Sequence, residues 1–149
     1  MPPPIMIDPR GPRFGAWVTT AVLSAVLVTG SGWLLAGQAA VFAAGALAGL
    51  RFAPYGLLYR YLIRPRLGPP AELEDEAPPR FAQGVGLAFA LVGTAGYALG
   101  VPAVAVLATA AALAAAFLNA AWGVCLGCEM YLILLRLRSR RSTHKGAPA

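Results

Sequence analysis

The chain has 149 residues, of which 58% are hydrophobic and 12% charged, with a mean hydropathy of +0.66 and a formal net charge of +6. That charged fraction is about half that of a soluble domain, and it is segregated: Asp, Glu, Lys and Arg are missing from 14–50 and from 81–128. A soluble helical bundle needs polar helix faces, so that class is excluded and an all-α integral membrane protein is expected.

The N-terminal segment, 1–14, carries Asp8, Arg10 and Arg13 among several prolines. A cleavable signal peptide does not fit, because an acid and prolines precede the first apolar stretch. The run 14–50 predicts two transmembrane helices, near 15–34 and 37–53, with the turn drawn from Ser31-Gly32 through Gly37-Gln38. The space is short for two spans, so Arg51 is expected near the end of the second helix, snorkelling to the headgroups. Pro54 and Gly56 then interrupt the chain before an amphipathic stretch, Tyr55 to Ile63. With four acids and four prolines, Leu67 to Pro79 reads as part of a cytoplasmic loop over 67–80.

A single helix over 81–128 would be roughly 70 Å long, more than twice the hydrocarbon core. Gly96, Gly100 and Pro102 supply a turn, which predicts spans near 82–99 and 103–126. Gly123 and Gly127 are expected to loosen the fourth span. A second amphipathic stretch, Met130 to Leu137, either lies on the membrane surface or prolongs that helix. The basic tail, 139–149, is expected to be disordered.

The chain also repeats. Asp8-Pro9-Arg10-Gly11-Pro12-Arg13-Phe14 aligns with Asp75-Glu76-Ala77-Pro78-Pro79-Arg80-Phe81 at an offset of 67. Tyr61-Leu62-Ile63 with Arg66 aligns with Tyr131-Leu132-Ile133 with Arg136 at an offset of 70. Four spans then form two parallel hairpin repeats, 15–66 and 81–138, about a pseudo-twofold axis along the membrane normal. This register sets Tyr55 and Leu58 in the places of Cys125 and Cys128.

The basic residues fall in the N-terminal, central and C-terminal segments (Arg10, Arg13; Arg51, Arg60, Arg64, Arg66, Arg80; Arg136, Arg138, Arg140, Arg141, Lys145). The positive-inside rule puts those segments and both termini in the cytoplasm, the placement of a multi-pass inner-membrane protein. The positive charge reflects that topology and an affinity for anionic lipid. No aromatic interleaving marks the basic tail for nucleic acid.

Within the spans, Gly45-x3-Gly49, Gly96-x3-Gly100 and the Ala-rich 108–116 suit close helix packing or homo-oligomers. No ionisable residue lies deep in a span, which argues against a proton-coupled pump or a carrier of charged substrates. Asn119 is the one strongly polar side chain well inside an apolar helix.

The two cysteines form Cys125-Leu126-Gly127-Cys128, followed by Glu129. Three readings compete. A redox or sulfur-accepting pair uses one Cys as attacking thiolate and the other to resolve the mixed disulfide or persulfide. A position near a helix C-terminus beside Glu129 disfavours that thiolate. Two thiolates could hold a soft metal, but a zinc site needs four ligands and hence a homodimer. Otherwise the sulfurs are small apolar groups packed at a helix end, in a membrane scaffold or small-solute channel.

Three stretches resemble a family of small bacterial membrane proteins catalogued as domain of unknown function number 4395. They are Asp8 to Phe14, Arg80-Phe81-Ala82-Gln83, and Asn119-Ala120-Ala121-Trp122-Gly123-Val124-Cys125-Leu126-Gly127-Cys128-Glu129-Met130-Tyr131. Members of that family are often encoded near thioredoxin-like or sulfur-handling proteins, so the resemblance implies thiol chemistry with such a partner. The residue set expected to matter is therefore Cys125 and Cys128 for chemistry, and Asn119, Gly123, Gly127 and Glu129 around them. Asp8, Arg13, Phe14, Asp75, Arg80 and Phe81 are expected as interface anchors. No cofactor is expected.

Overall fold

The computed structural model describes residues 3–144 and is all-helical apart from one small ribbon. In chain order come β1 (Met6–Ile7), α1 (Arg10–Thr29) and α2 (Gly32–Ala43), the last prolonged by a π turn at Ala44–Ala48. A 3-10 turn at Leu50–Phe52 leads to α3 (Pro54–Leu58), a second π turn at Tyr59–Ile63 and α4 (Arg64–Leu67). Then come β2 (Glu74–Asp75), α5 (Ala77–Ala98), α6 (Pro102–Trp122) and α7 (Leu126–His144).

Three helices, α1, α5 and α6, are long and apolar enough to cross a membrane, and the shorter apolar stretch Gly32–Ala48 packs with them. At 1.5 Å per residue, the 20 residues of α1 span about 30 Å, the thickness of the hydrocarbon core. The chain is therefore a membrane protein by the length and composition of its helices. Large apolar side chains point outward on these helices: Val28 is 87% exposed, Trp33 90% and Leu107 70%.

The expected element boundaries move. The first turn is only Gly30 and Ser31: Gly30 adopts φ 64°, and the Ser31 hydroxyl accepts the Leu34 N–H to start α2. The second helix thus begins at Gly32, inside the expected turn, and ends before the expected 53. Arg51 lies beyond it, after Gly49 (φ 99°), with its guanidinium 4.8 Å from the Phe52 ring centre. Part of the segment expected to be a bare loop is structured. Met6 pairs with Asp75 and Ile7 with Glu74 in the antiparallel ribbon, the Glu76 N–H reaches the Ile5 carbonyl, and α5 already begins at Ala77. Prolines at its first turn cost α5 nothing, because their missing N–H groups have no helical partner there. The tail is not disordered from 139: α7 continues to His144, and 145–149 lie outside the described residues.

The core lies between α1, α2, α5 and α6, around Leu23, Val26, Leu35, Phe42, Ala90 and Ala112. Lipid tails are as apolar as these side chains, so close approach over small residues holds such helices together. Alpha5 supplies it. A Cβ on Gly93 would lie 2.7 Å from Leu35 Cδ2, and one on Gly96 2.7 Å from the Ala105 nitrogen. The expected GxxxG pairs divide differently: Gly45 and Gly96 pack, whereas Gly49 and Gly100 are helix-end residues with φ 99° and 69°. Thr109, fully buried, returns its hydroxyl to the Ala105 carbonyl and so adds no unmet polarity.

Candidate functional site

Alpha6 stops at Gly123, whose φ of 72° lets its N–H close on the Asn119 carbonyl. The break is complete, and α7 is a new helix rather than a continuation of α6. The stretch Met130 to Leu137 therefore belongs to a separate helix. Cys125 stands immediately before the first residue of α7, and the Cys128 N–H points at its sulfur, 3.4 Å away. This is the position of a helix N-cap. The pair was expected near a helix C-terminus, where a thiolate is disfavoured; it sits at an N-terminus, where unpaired N–H groups favour negative charge. Glu129, in the first turn of α7, is likewise placed favourably for the helix and is solvent-exposed.

The Cys125 and Cys128 sulfurs are within disulfide reach, with Cα atoms 5.2 Å apart, inside the usual range for such a bond. Both residues are half-buried. Between them, Gly127 lies on α5: a Cβ there would be 2.6 Å from both Cα and Cβ of Ala82. Phe81 continues that contact, its ring centre 5.6 Å from that of Tyr131. The thiol pair is thus pressed onto the first turns of α5. Asn119 is one turn before the end of α6; its half-buried side chain makes no hydrogen bond to another described residue, and its backbone carbonyl closes the helix. Among the described residues, no group of three or more His, Cys, Asp or Glu stands close enough to hold a metal ion.

The expected anchors meet at the same end of the bundle. Arg13 donates through Nε to the Ala120 carbonyl at 3.1 Å and through Nη2 to the Ala121 carbonyl at 3.1 Å, taking two orphan acceptors at the end of α6. Arg80 does the same for the π turn after α2, reaching the Ala46 and Leu47 carbonyls at 2.8 Å each. The Asp8 carboxylate accepts the Arg10 N–H at 3.0 Å and Asp75 accepts the Ala77 N–H at 3.0 Å, each opening its helix. Phe14 meets Tyr59 at 5.9 Å, as Phe81 meets Tyr131.

Asp8 carries more than a cap. Its side chain is 9% exposed and bound by Arg10 at 2.9 Å and by the Tyr59 hydroxyl at 3.0 Å. Burial by itself raises the carboxyl, but the hydrogen bonds from Arg10 and Tyr59 outweigh it and hold Asp8 below its ordinary value of 3.8. Burial, followed by the neighbouring carboxylate, pushes the Tyr59 hydroxyl up.

The profile of the family described as Domain of unknown function (DUF4395) matches residues 7–136. The chain belongs to this family. No curated protein and no solved structure matches it. The match runs from the ribbon strand that precedes Asp8 to the apolar part of α7, so this DUF4395 chain brings the anchors and the thiol pair into one family domain.

Sequence reasoning passed over Glu76 and the hydroxyls of Tyr55 and Tyr59, and took Gln38 for a turn residue. Glu76 is 4% exposed and accepts the Leu50 N–H at 2.6 Å, holding the chain where it leaves the α2 end. Gln38, 2% exposed, accepts the Tyr55 hydroxyl at 2.6 Å, and its Nε2 has no hydrogen-bond partner among the described residues. Glu76 sits in a Pro-rich acidic run that reads as solvated, and nothing in its neighbours distinguishes it from Glu72 or Glu74. Gln38, by contrast, is the one amide in the uncharged run 14–50, a signal that was available.

Proposed function

We propose that the chain is a four-segment inner-membrane protein whose Cys125–Cys128 pair, on the cytoplasmic side, exchanges thiols and disulfides with a thioredoxin-like or sulfur-carrying protein. The observation that carries this reading is the position of Cys125 at the start of α7, with the Cys128 N–H directed at its sulfur. There the helix terminus stabilises a thiolate without a basic side chain.

The chemistry is two successive displacements. The Cys125 thiolate attacks one sulfur of a partner disulfide, forming a mixed disulfide and releasing the partner's first thiolate. The Cys128 thiolate then attacks the Cys125 sulfur, closing the internal disulfide and expelling the partner's second thiolate. The pair is oxidised by two electrons and the partner disulfide is reduced; the reverse sequence reduces the pair. Gly127 holds the motif on α5, with both cysteines only half-buried.

The two halves read as a duplication, and three correspondences support it. Ile7 and Glu74, equivalent at the offset of 67, pair with each other in the ribbon, as residues flanking a twofold axis do. Arg13 of the first copy takes the carbonyls ending α6 of the second, and Arg80 of the second takes those ending the α2 stretch of the first. The ring pairs Phe14–Tyr59 and Phe81–Tyr131 match at offsets of 67 and 72. The last moves the C-terminal register from 70 to 72, so Ala53 and Gly56, rather than Tyr55 and Leu58, stand opposite Cys125 and Cys128. Only the second copy then carries sulfur.

The test is Cys125→Ser beside Cys128→Ser in intact membranes. A thiol exchanger loses turnover with a disulfide partner in both variants at unchanged abundance. Cys128→Ser alone traps the mixed disulfide with that partner. Undiminished function in both variants would remove the chemistry and leave a scaffold.

A further inference from the structure

Away from the thiol pair, a cavity of about 400 Å³ opens between the ribbon, α1, the α2 stretch and α3–α4. It lies within the size range of small-ligand sites. Its lining mixes apolar side chains, among them Ile7, Val41 and Leu50, with the basic Arg51, Arg60 and Arg64. The acid in the wall, Asp8, is already matched by Arg10 and the Tyr59 hydroxyl. The described residues show no ion pair for any of the three arginines, and Arg51 has only its contact with Phe52. The cavity belongs to the end of the bundle where α1 and α5 begin and the α2 stretch ends, the end that carries the charges. Uncompensated cations beside apolar side chains in one cavity, at the end of membrane-length helices, are the chemistry of an anionic headgroup joined to a hydrocarbon chain.

We propose that this cavity binds an anionic membrane phospholipid, its phosphate among Arg51, Arg60 and Arg64 and the first carbons of a chain against Ile7, Val41 and Leu50. The site stands at the position that, in the duplicated arrangement, answers to the thiol pair: Ala53 and Gly56, the counterparts of Cys125 and Cys128 at the offset of 72, both line it. One half would thus hold lipid where the other holds sulfur. Lipid binding itself does not depend on the thiol reading.

Binding is measured on the full-length protein by native mass spectrometry, with phosphatidylglycerol competing against phosphatidylcholine, and with inorganic phosphate as a separate competitor. A photoactivatable phosphatidylglycerol maps the site on the wild-type chain. The expected result is retained phosphatidylglycerol that phosphatidylcholine does not displace, and crosslinks within 51–64. The triple variant R51Q/R60Q/R64Q weakens that retention by at least about tenfold, while R136Q/R138Q on α7 leaves it unchanged. Crosslinks confined to α7, equal retention in the triple variant, or no preference over phosphatidylcholine would overturn the proposal. Displacement of the lipid by millimolar phosphate alone would also overturn it, by making the site one for free phosphate. Because crosslink mapping needs no variant, a triple variant that fails to fold leaves the test intact.

Discussion

Replacing Gly127 with alanine probes how the thiol pair is held. The added Cβ falls 2.6 Å from both Cα and Cβ of Ala82. Neither atom can rotate aside, so α7 must shift away from α5 or tilt. Overpacking of this kind costs about 1–3 kcal/mol. Alanine is the better helix former by up to about 1 kcal/mol, which offsets part of that cost. The net expectation is a loss of about 1–2 kcal/mol in the docking of α7. Unfolding in mild detergent gives the magnitude, and limited proteolysis at the α6–α7 break shows whether α7 has come loose. Ala82→Gly in the same chain removes one of the two close contacts and not the other, so it should restore part of the loss. A Gly127→Ala protein as stable as wild type, with α7 equally protected, would refute the close packing on which the placement of the cysteines rests.

The other predictions concern the anchors. Arg13→Gln and Arg80→Gln each remove two hydrogen bonds to helix-end carbonyls and should each destabilise the fold by about 1 kcal/mol, since these charged donors are partly exposed; lysine at either position should fail to rescue, for want of a two-pronged donor. If the halves are related as proposed, detergent unfolding should show similar losses for the two. Asp8→Asn should cost about 1–2 kcal/mol at neutral pH, by weakening the bonds from Arg10 and Tyr59. The Asp8 carboxyl titrates in the folded state below 3.8. Its contribution is therefore complete above 3.8 and disappears as pH falls through the folded value, so stability measured into acid should decline in wild type and be flatter in Asp8→Asn. Tyr59→Phe should remove part of the same pH-dependent contribution, because it deletes one of the two side-chain donors.

Much of the architecture follows from where charge is absent. Two long uncharged runs force at least one reversal each, and the glycines and proline at 96–102 mark the second reversal correctly. The first was set too wide, because Gly37 and Gln38 look like breakers in sequence. In the fold, Gly37 is an ordinary helical residue and Gln38 is buried against Tyr55. The Asp-x4-Arg-Phe heptads were legible as a repeated motif, yet not what they hold: each arginine reaches the end of a helix in the other half of the chain, a relation that only tertiary structure reveals. The thiol pair was legible as a motif but misread in setting. Gly123 was taken to loosen one helix, whereas its positive φ ends that helix and lets Cys125 begin the next. A one-residue difference in backbone conformation thus moves the pair from the end of one helix to the start of the next.

The most direct test of the central claim is maleimide labelling of Cys125 and Cys128 in intact membranes, titrated against a dithiol redox buffer and repeated after metal chelation. The account predicts rapid labelling of Cys125 before Cys128, with a reversible two-electron midpoint near the cytosolic poise of about −220 to −320 mV. Thiols that stay reduced and unreactive across that range, or that label only after chelation, would contradict it.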